Sequence, residues 1–136
     1  MIRAAFLAAC LLSAPAWAQS VRVIDGDGIS LNGQSVRLWG VDAPELRQTC
    51  SRSGKRYPCG QQARDALQAF LGASVPRCEA VNRDFYGRTI ARCSVNGDDL
   101  AALMVRSGHA LDWPRYSSGA YAADQNAAKA AGRGLW

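Results

Sequence analysis

The sequence contains a single histidine, His109, among its 136 residues. Any mechanism that needs two histidine side chains is therefore excluded, and His109 itself, just after a helix-ending glycine, is expected to be structural. The sequence also has no internal repeat, no coiled-coil pattern and no low-complexity tail. The apolar run near the N-terminus is too short to span a membrane. The acidic and basic side chains are therefore the main candidates for function.

The length and charge of the chain limit what it can be. A chain of 136 residues is long enough for one domain with a modest core. Its formal net charge is +5, or +4 for residues 19–136 alone, and this positive excess favours a polyanionic partner but does not choose among the classes of polyanion.

The first residues have the pattern of a secretory signal. A short positive start that ends at Arg3 is followed by the apolar residues 4–12, and Ala16-Trp17-Ala18 forms a small-x-small cleavage site. We therefore predict a signal peptide over residues 1–18 and one domain over residues 19–136, in a protein that is periplasmic or secreted. Cys10 also lies in a lipoprotein-like sequence, but only about six apolar residues precede it, so cleavage after Ala18 is favoured over lipidation.

Four cysteines remain after residue 18, and an even number in a small exported protein indicates disulfides. Four cysteines allow three connectivities. Proximity in the sequence favours Cys50 with Cys59 and Cys78 with Cys93, the second pair joining two neighbouring strands. A structural zinc site is the alternative, but no two of these cysteines have the C-x2-C spacing of zinc ribbons.

Apolar runs and turn residues predict strands followed by helices. Asp-Gly and Asn-Gly turns separate the first runs, which is typical of a strand meander and makes a small barrel plausible. Helical spacing of apolar residues and glycine stops predict three helices. The predicted strands cover residues 21–24, 28–31, 35–40, 75–81 and 89–95, and the predicted helices cover residues 60–71, 100–107 and about 120–131.

Three acidic residues in the first part of the chain suggest a divalent-cation site. Asp27 lies in an acidic turn and Asp42 ends a strand-like run, so the two carboxylates meet if those strands are neighbours. With a backbone carbonyl from Ala43, they would suit a hard cation such as calcium. Glu45, held by the rigid Pro44, could then face a water molecule as a general base. Taken singly, each acid could equally be an ordinary turn or surface residue.

Two arginines point this site toward a phosphate. Arg37 lies inside an apolar run, where an inward charge is unfavourable without a partner, and Arg88 follows Tyr86-Gly87 at the start of a strand. A guanidinium offers a planar set of donors that matches phosphate oxygens and can neutralise charge in a transition state. The alternative is a structural ion pair of Arg37 with Glu45 or Asp42.

Four segments resemble the staphylococcal nuclease (thermonuclease) family, and the likeness covers nearly all of residues 19–136. The segments are residues 23–28, 36–45 with the pattern R-x4-D-x-P-E, 84–88 and 134–136. The resemblance implies an α+β, mainly β fold: a five-stranded OB-fold barrel with three helices. It also implies a calcium-dependent phosphodiesterase that hydrolyses DNA and RNA with little sequence specificity and leaves 3'-phosphates.

The resemblance also implies a role for individual residues. Asp27, Asp42 and the carbonyl of Ala43 resemble the metal ligands, and Glu45 resembles the residue that activates or orients water. Arg37 and Arg88 resemble the residues that hold the phosphate. Residues of the family's nucleotide-binding rim are matched by Asp84, Tyr86 and Tyr116.

The sequence departs from the family at several positions. Gly28 and Ala43 stand where threonine is common, and Phe85 replaces a lysine of the type member. Gly28 removes a hydroxyl that could support the metal site, and Phe85 removes a positive charge, so affinity is expected to suffer more than mechanism. The four cysteines are also absent from the type member.

Two functions of different classes remain. The first is a metal-dependent nuclease that acts, as a monomer without stable membrane association, on DNA and RNA and prefers single strands. The second is a catalytically inactive OB-fold module that binds nucleic acid. A binding module has no need for all five of the acidic and basic residues assigned to catalysis and metal binding, so the sequence favours the enzyme.

Overall fold

The structure of the protein is a computed structural model that describes residues 19–136. The predicted signal peptide, its cleavage site and the lipidation site at Cys10 lie outside the described residues. Within residues 19–136, no helix has both the length and the apolar character needed to cross a bilayer.

Residues 19–136 form ten strands and four helices. The strands are β1 (Val21–Val23), β2 (Gly28–Leu31), β3 (Gln34–Leu38), β4 (Val41–Asp42), β5 (Cys50–Arg52), β6 (Lys55–Tyr57), β7 (Arg77–Arg83), β8 (Thr89–Val95), β9 (Asp98–Asp99) and β10 (Leu111–Asp112). The helices are α1 (Cys59–Leu71), α2 (Leu100–Arg106), α3 (Pro114–Ser117) and α4 (Ala122–Ala131).

The main sheet is a curled half-barrel that begins with the predicted meander. Its strand order is β1-β2-β3-β8-β7, with β9 paired to β8, and β3 and β8 run parallel. Asn32 and Gly33 form the turn between β2 and β3 with positive φ angles of 51° and 81°, as a tight two-residue hairpin requires. The meander brings Gly28 opposite Arg37, so the acidic turn and the arginine strand are neighbours.

The core lies between this sheet and the helices α1 and α2. In α1, Ala63, Leu67 and Leu71 are spaced four residues apart and are all buried. Helix α2 buries Leu100 and Met104, and the Asp99 carboxylate caps its first turn by accepting a hydrogen bond from the Ala101 N–H at 2.8 Å. The packing of α1 and α2 against the sheet holds the strands whose ends and loops carry the site residues.

The mainly β fold is confirmed: the curled half-barrel sheet is consistent with the predicted OB-like barrel, and the structure has four helices where three were predicted. The additional helix, α3, has four residues and begins at Pro114. So short a helix has no repeating apolar pattern, and it forms because proline fits the first helical position. Two small sheets, β4 with β10 and β5 with β6, were also not predicted, since two- and three-residue strands carry no alternation signal.

Both predicted disulfides are present. Cys50 is bonded to Cys59, and Cys78 to Cys93. Cys78 and Cys93 face each other in the β7–β8 register, as expected for a bond between neighbouring strands. The Cys50–Cys59 bond ties the β5–β6 hairpin to the first residue of α1. All four cysteines are therefore unavailable to the alternative zinc site.

Candidate active site

A cleft of about 550 Å³ opens at one edge of the sheet. The acidic turn, the end of β3, the β7–β8 loop and the start of α3 all contribute to its wall. Every residue that the sequence assigned to catalysis, metal binding or nucleotide binding lines this cleft except Ala43, whose carbonyl belongs to the same backbone segment. The lining side chains with polar or aromatic groups are Asp27, Arg37, Trp39, Asp42, Glu45, Asn82, Arg83, Asp84, Phe85, Tyr86, Arg88, Trp113 and Tyr116.

Arg37 is the centre of the polar network in this cleft. Its guanidinium lies 3.3 Å from the Asp27 carboxylate and 3.6 Å from that of Asp42, and it donates a hydrogen bond to the Val41 carbonyl at 3.2 Å. The guanidinium also lies 5.3 Å from the ring of Trp113, within cation–π range. The side chain is 14% exposed, so one face remains open to the cleft.

Asp27 is a buried carboxylate. Its Oδ2 atom accepts a hydrogen bond from the Ala43 N–H at 2.9 Å and also makes the contact with Arg37. Burial raises the pKa of Asp27 to about 7, while the positive charge of Arg37 and the hydrogen bond from Ala43 act in the opposite direction. A buried carboxylate that needs nearby positive charge is well suited to hold a cation.

Asp42 reaches the same place from a different element. It belongs to β4, where it pairs with Leu111 of β10, and its side chain is 57% exposed. Asp27 and Asp42 both lie within 4 Å of one guanidinium, so both carboxylates face Arg37 in the cleft. Their role as metal ligands stays a prediction.

The oxygen donors fit a hard cation, although they are few. Among residues 19–136, no group of three or more histidine, cysteine, aspartate or glutamate side chains is close enough to hold a metal ion. The Asp27 and Asp42 carboxylates and the Ala43 carbonyl would be the protein donors, and calcium accepts waters for its other positions. We expect a site of this composition to bind calcium weakly.

Gly28 affects this site through Asp25. A Cβ atom at position 28 would lie 2.8 Å from Asp25 Oδ1, the atom that accepts a hydrogen bond from the Asp27 N–H. A larger side chain at position 28 therefore requires Asp25 to move. The conformation of the acidic turn therefore depends on glycine at position 28. The sequence alone did not reveal this dependence.

Glu45 is placed by its backbone rather than by side-chain contacts. It is exposed on the loop that follows Pro44, and its N–H donates to Gln48 Oε1 at 3.1 Å. Gly60, the second residue of α1, packs against this loop so closely that a Cβ atom there would lie 1.7 Å from the Glu45 carbonyl oxygen. The N–H of Gly60 also donates to the Gln48 carbonyl at 3.1 Å. The start of α1 therefore fixes where Glu45 enters the cleft.

Arg88 is oriented by Asp84. The Arg88 Nε donates to Asp84 Oδ2 at 2.6 Å, and the N–H groups of Tyr86 and Arg88 donate to Oδ1 at 3.0 and 2.9 Å. Although desolvation opposes it, these hydrogen bonds from Arg88 lower the pKa of Asp84. Asp84 therefore organises the loop that carries Arg88 and Tyr86, in addition to lining the cleft.

Aromatic side chains surround the opening of the cleft. Phe85 and Tyr86 are almost fully exposed, and Tyr116 is half exposed. Tyr116 packs edge-on against Trp113 with ring centroids 4.5 Å apart. Exposed aromatic faces of this kind can stack on bases.

Trp39 lines the cleft but is assigned no role there, and His109 lies outside the cleft. Trp39 is partly buried against the core, with the Arg92 guanidinium 4.0 Å from its ring. Burial lowers the pKa of His109, and the histidine is absent from the cleft lining.

Sequence reasoning missed three residues that support the site. Gly60 and Gln48 position the Glu45 loop, and Trp113 covers Arg37. Trp113 was not among the predicted site residues, and Gly60 was predicted only to begin a helix. None of the three has a local pattern that indicates its role, because each acts across a long sequence separation or through close backbone packing.

Comparison with known proteins gives consistent matches. A family model described as "Staphylococcal nuclease homologue" matches residues 35–136. The succinoglycan biosynthesis protein ExoI of Rhizobium meliloti (strain 1021) is 44% identical over 117 residues, which cover 84% of this chain and 61% of that protein. A probable staphylococcal-like nuclease of Oryza sativa subsp. japonica is 30% identical over 102 residues, covering 74% of this chain and 25% of that protein. The chain thus spans about three fifths of the length of one curated relative and a quarter of the other.

Proposed function

The chain belongs to the staphylococcal nuclease family, and on that premise we propose that it is a calcium-dependent nuclease. The proposed reaction is hydrolysis of phosphodiester bonds in DNA and RNA with little sequence specificity, leaving 3'-phosphates. The observation that carries this proposal is the convergence of Asp27 and Asp42 on Arg37, in the cleft that Glu45 and Arg88 also line.

Calcium is proposed as the cofactor because the converging donors are all oxygen atoms. Asp27, Asp42 and the Ala43 carbonyl would hold the ion. When bound, it would supply positive charge to the phosphate and to the attacking water.

The remaining steps belong to side chains of the cleft. Arg37 and Arg88 each present a guanidinium that can donate to phosphate oxygens and neutralise the charge that grows during attack. Glu45 can accept a proton from water, since its exposed carboxylate lines the same cleft. Asp84 keeps the Arg88 guanidinium oriented, so the donor needs little reorganisation when substrate binds.

Single-stranded nucleic acid is the proposed preferred substrate. Tyr86 and Tyr116 line the cleft with exposed ring faces, and bases can stack on such faces only when they are not paired in a duplex. Phe85 extends the same aromatic rim where the family has a lysine. Binding at this rim therefore depends more on stacking and less on charge.

The location and organisation of the protein are also proposals. The signal pattern of residues 1–18 and the two disulfides favour an oxidising compartment, that is, the periplasm or the outside of the cell. Residues 19–136 would then be the active domain, acting as a monomer without stable membrane association.

An inactive nucleic-acid-binding module is the second candidate function. One relative is named for succinoglycan biosynthesis rather than for nuclease activity, so membership of the family does not by itself establish cleavage. The two candidates differ in one property. Both bind DNA, but only the enzyme shortens it.

Calcium should switch on cleavage of denatured DNA by the purified protein. We expect acid-soluble fragments in millimolar calcium, because the small donor set predicts weak binding, and no cleavage in excess chelator. End-group analysis should find 3'-phosphates. Binding to DNA without cleavage at any calcium concentration would support the inactive module. Cleavage that continues unchanged in chelator would refute the metal dependence.

A further inference from the structure

The net positive charge of residues 19–136 comes from one segment. Residues 19–136 contain fifteen basic and eleven acidic residues, an excess of four. Residues 47–57, which we call the basic arm, contain four basic residues and no acidic one: Arg47, Arg52, Lys55 and Arg56. The basic arm therefore accounts for the whole excess, and the rest of the domain is electrically balanced.

Three of these four cations are free to meet a ligand. Arg47, Lys55 and Arg56 are exposed, and within residues 19–136 none of them lies within salt-bridge distance of a carboxylate. Lys55 and Arg56 lie near the tip of the β5–β6 hairpin, whose turn is Ser53-Gly54. Successive residues of a strand point to opposite faces, so their charges surround the tip instead of lining a single face.

The fourth cation, Arg52, holds the basic arm in place. Its guanidinium lies 5.4 Å from the Tyr57 ring and donates hydrogen bonds to the backbone carbonyls of Gly134 and Trp136. The Cys50–Cys59 disulfide fastens the base of the hairpin to α1. A hairpin fixed at both places presents its charges at a defined position and loses little conformational entropy when it binds.

The basic arm also begins beside the cleft. Arg47 follows Glu45 by two residues, and the Gln48 backbone contacts both Glu45 and Gly60. Because the basic arm continues directly from the Glu45 loop, a strand that leaves the cleft past Glu45 would meet the basic arm next. The cleft already contains Arg37 and Arg88 for one phosphate, so the charges of the basic arm are available to others.

We propose that the basic arm is a second binding surface for the phosphate chain of a polynucleotide. Long strands would contact the cleft and the basic arm together, whereas an ester of a single nucleotide would contact the cleft alone. The proposal rests on the proposed function in one respect: it assumes that the nucleic-acid strand bound by the basic arm also occupies the cleft. Binding by the basic arm can be measured without catalysis.

The test is the triple variant Arg47→Ala, Lys55→Ala, Arg56→Ala. Binding of a fluorescent 20-nucleotide single strand is followed by anisotropy in chelator, at a series of salt concentrations. Loss of three phosphate contacts should weaken binding at least about tenfold at low salt and reduce the slope of log K against log salt by about 2. If the triple variant does not fold, the single variant Arg56→Ala, which changes one exposed side chain, is compared with Arg22→Ala; loss of one phosphate contact should reduce the slope by about 0.7.

A matched control removes the same charge elsewhere. Arg22, Arg77 and Lys129 are exposed on three different elements outside the cleft, and changing all three to alanine lowers the net charge equally. We expect this control to change DNA affinity by about twofold or less, since distant surface charges are screened. Equal losses of affinity in the two variants would overturn the proposal, because net charge alone would then explain them.

Cleavage separates this proposal from the proposed function. In the basic-arm variant, KM for long denatured DNA should rise about tenfold. The KM for a nitrophenyl ester of a single nucleotide should not rise. An equal loss on both substrates would overturn the proposal, because the substitutions would then act on the cleft itself. If the unchanged protein cleaves neither substrate, the proposed function fails, and the binding comparison still tests the basic arm.

Discussion

Replacing Arg37 with lysine should reduce the rate of cleavage of denatured DNA about 100-fold or more, although the positive charge is kept. Arg37 contacts Asp27, Asp42 and the Val41 carbonyl through different parts of one planar group. The lysine ammonium is a compact charge without this fork, so it cannot keep the two carboxylates together and also donate in pairs to a phosphate.

The control for Arg37→Lys is Arg64→Lys. Arg64 also pairs with a carboxylate, Asp65, but on the surface of α1 and outside the cleft. Its replacement should leave the cleavage rate within about twofold, as expected for a surface pair. If Arg37→Lys lowered the melting temperature and left the cleavage rate unchanged, Arg37 would be a purely structural ion-pair partner.

Gly60→Ala should reduce kcat about 100-fold although Gly60 touches no substrate. The added Cβ would lie 1.7 Å from the Glu45 carbonyl oxygen and 2.8 Å from that of Leu46, and both are backbone atoms. The loop must therefore move by about 1 Å or more, and a displacement of that size in a catalytic group costs about 100-fold in rate. DNA binding in chelator should change less, because Arg37, Arg88 and the aromatic rim are on other elements, and because Arg52 and the Cys50–Cys59 disulfide keep the β5–β6 hairpin of the basic arm in place.

Two further variants make the Gly60 result interpretable. Gln48→Ala removes only the acceptor of the Glu45 N–H hydrogen bond and should lower kcat about tenfold. Gln61→Ala, on the exposed side of the same helix, should have no effect on rate. A Gly60→Ala protein with full kcat would show that the position of Glu45 is not critical. Equal losses in DNA binding and kcat would show that the substitution disturbs the whole cleft and does not act through Glu45 alone.

The neighbourhood of Asp27 and Arg37 could be predicted from the sequence, because a tight turn and a short hairpin connection determine which residues face each other. The place of Asp42 beside Arg37 depends on β4, which was not predicted. The disulfides followed from the spacing of Cys50 and Cys59 and from the expected neighbouring strands of Cys78 and Cys93. Both disulfides were predicted from cysteines that are close in the sequence or on neighbouring strands, and both are present in the folded chain.

What the sequence did not reveal depends on contacts between distant segments. Strand β4 exists because Val41 and Asp42 pair with residues 111–112, about seventy positions away. The cover of Trp113 over Arg37 follows from that same pairing, which brings the start of α3 to the cleft. The role of Gly60 could not be predicted, because it depends on the absence of a Cβ atom where α1 packs against the Glu45 loop.

The measurement that tests the account most directly is the initial rate of denatured-DNA cleavage in calcium by the unchanged protein and by Glu45→Gln, purified in parallel. Glutamine keeps the size and polarity of the side chain but cannot accept a proton from water, so we expect a loss of about 100-fold or more with DNA binding retained. Equal rates for the two proteins would contradict the assignment of Glu45, and with it the claim that this cleft cleaves the phosphodiester bond.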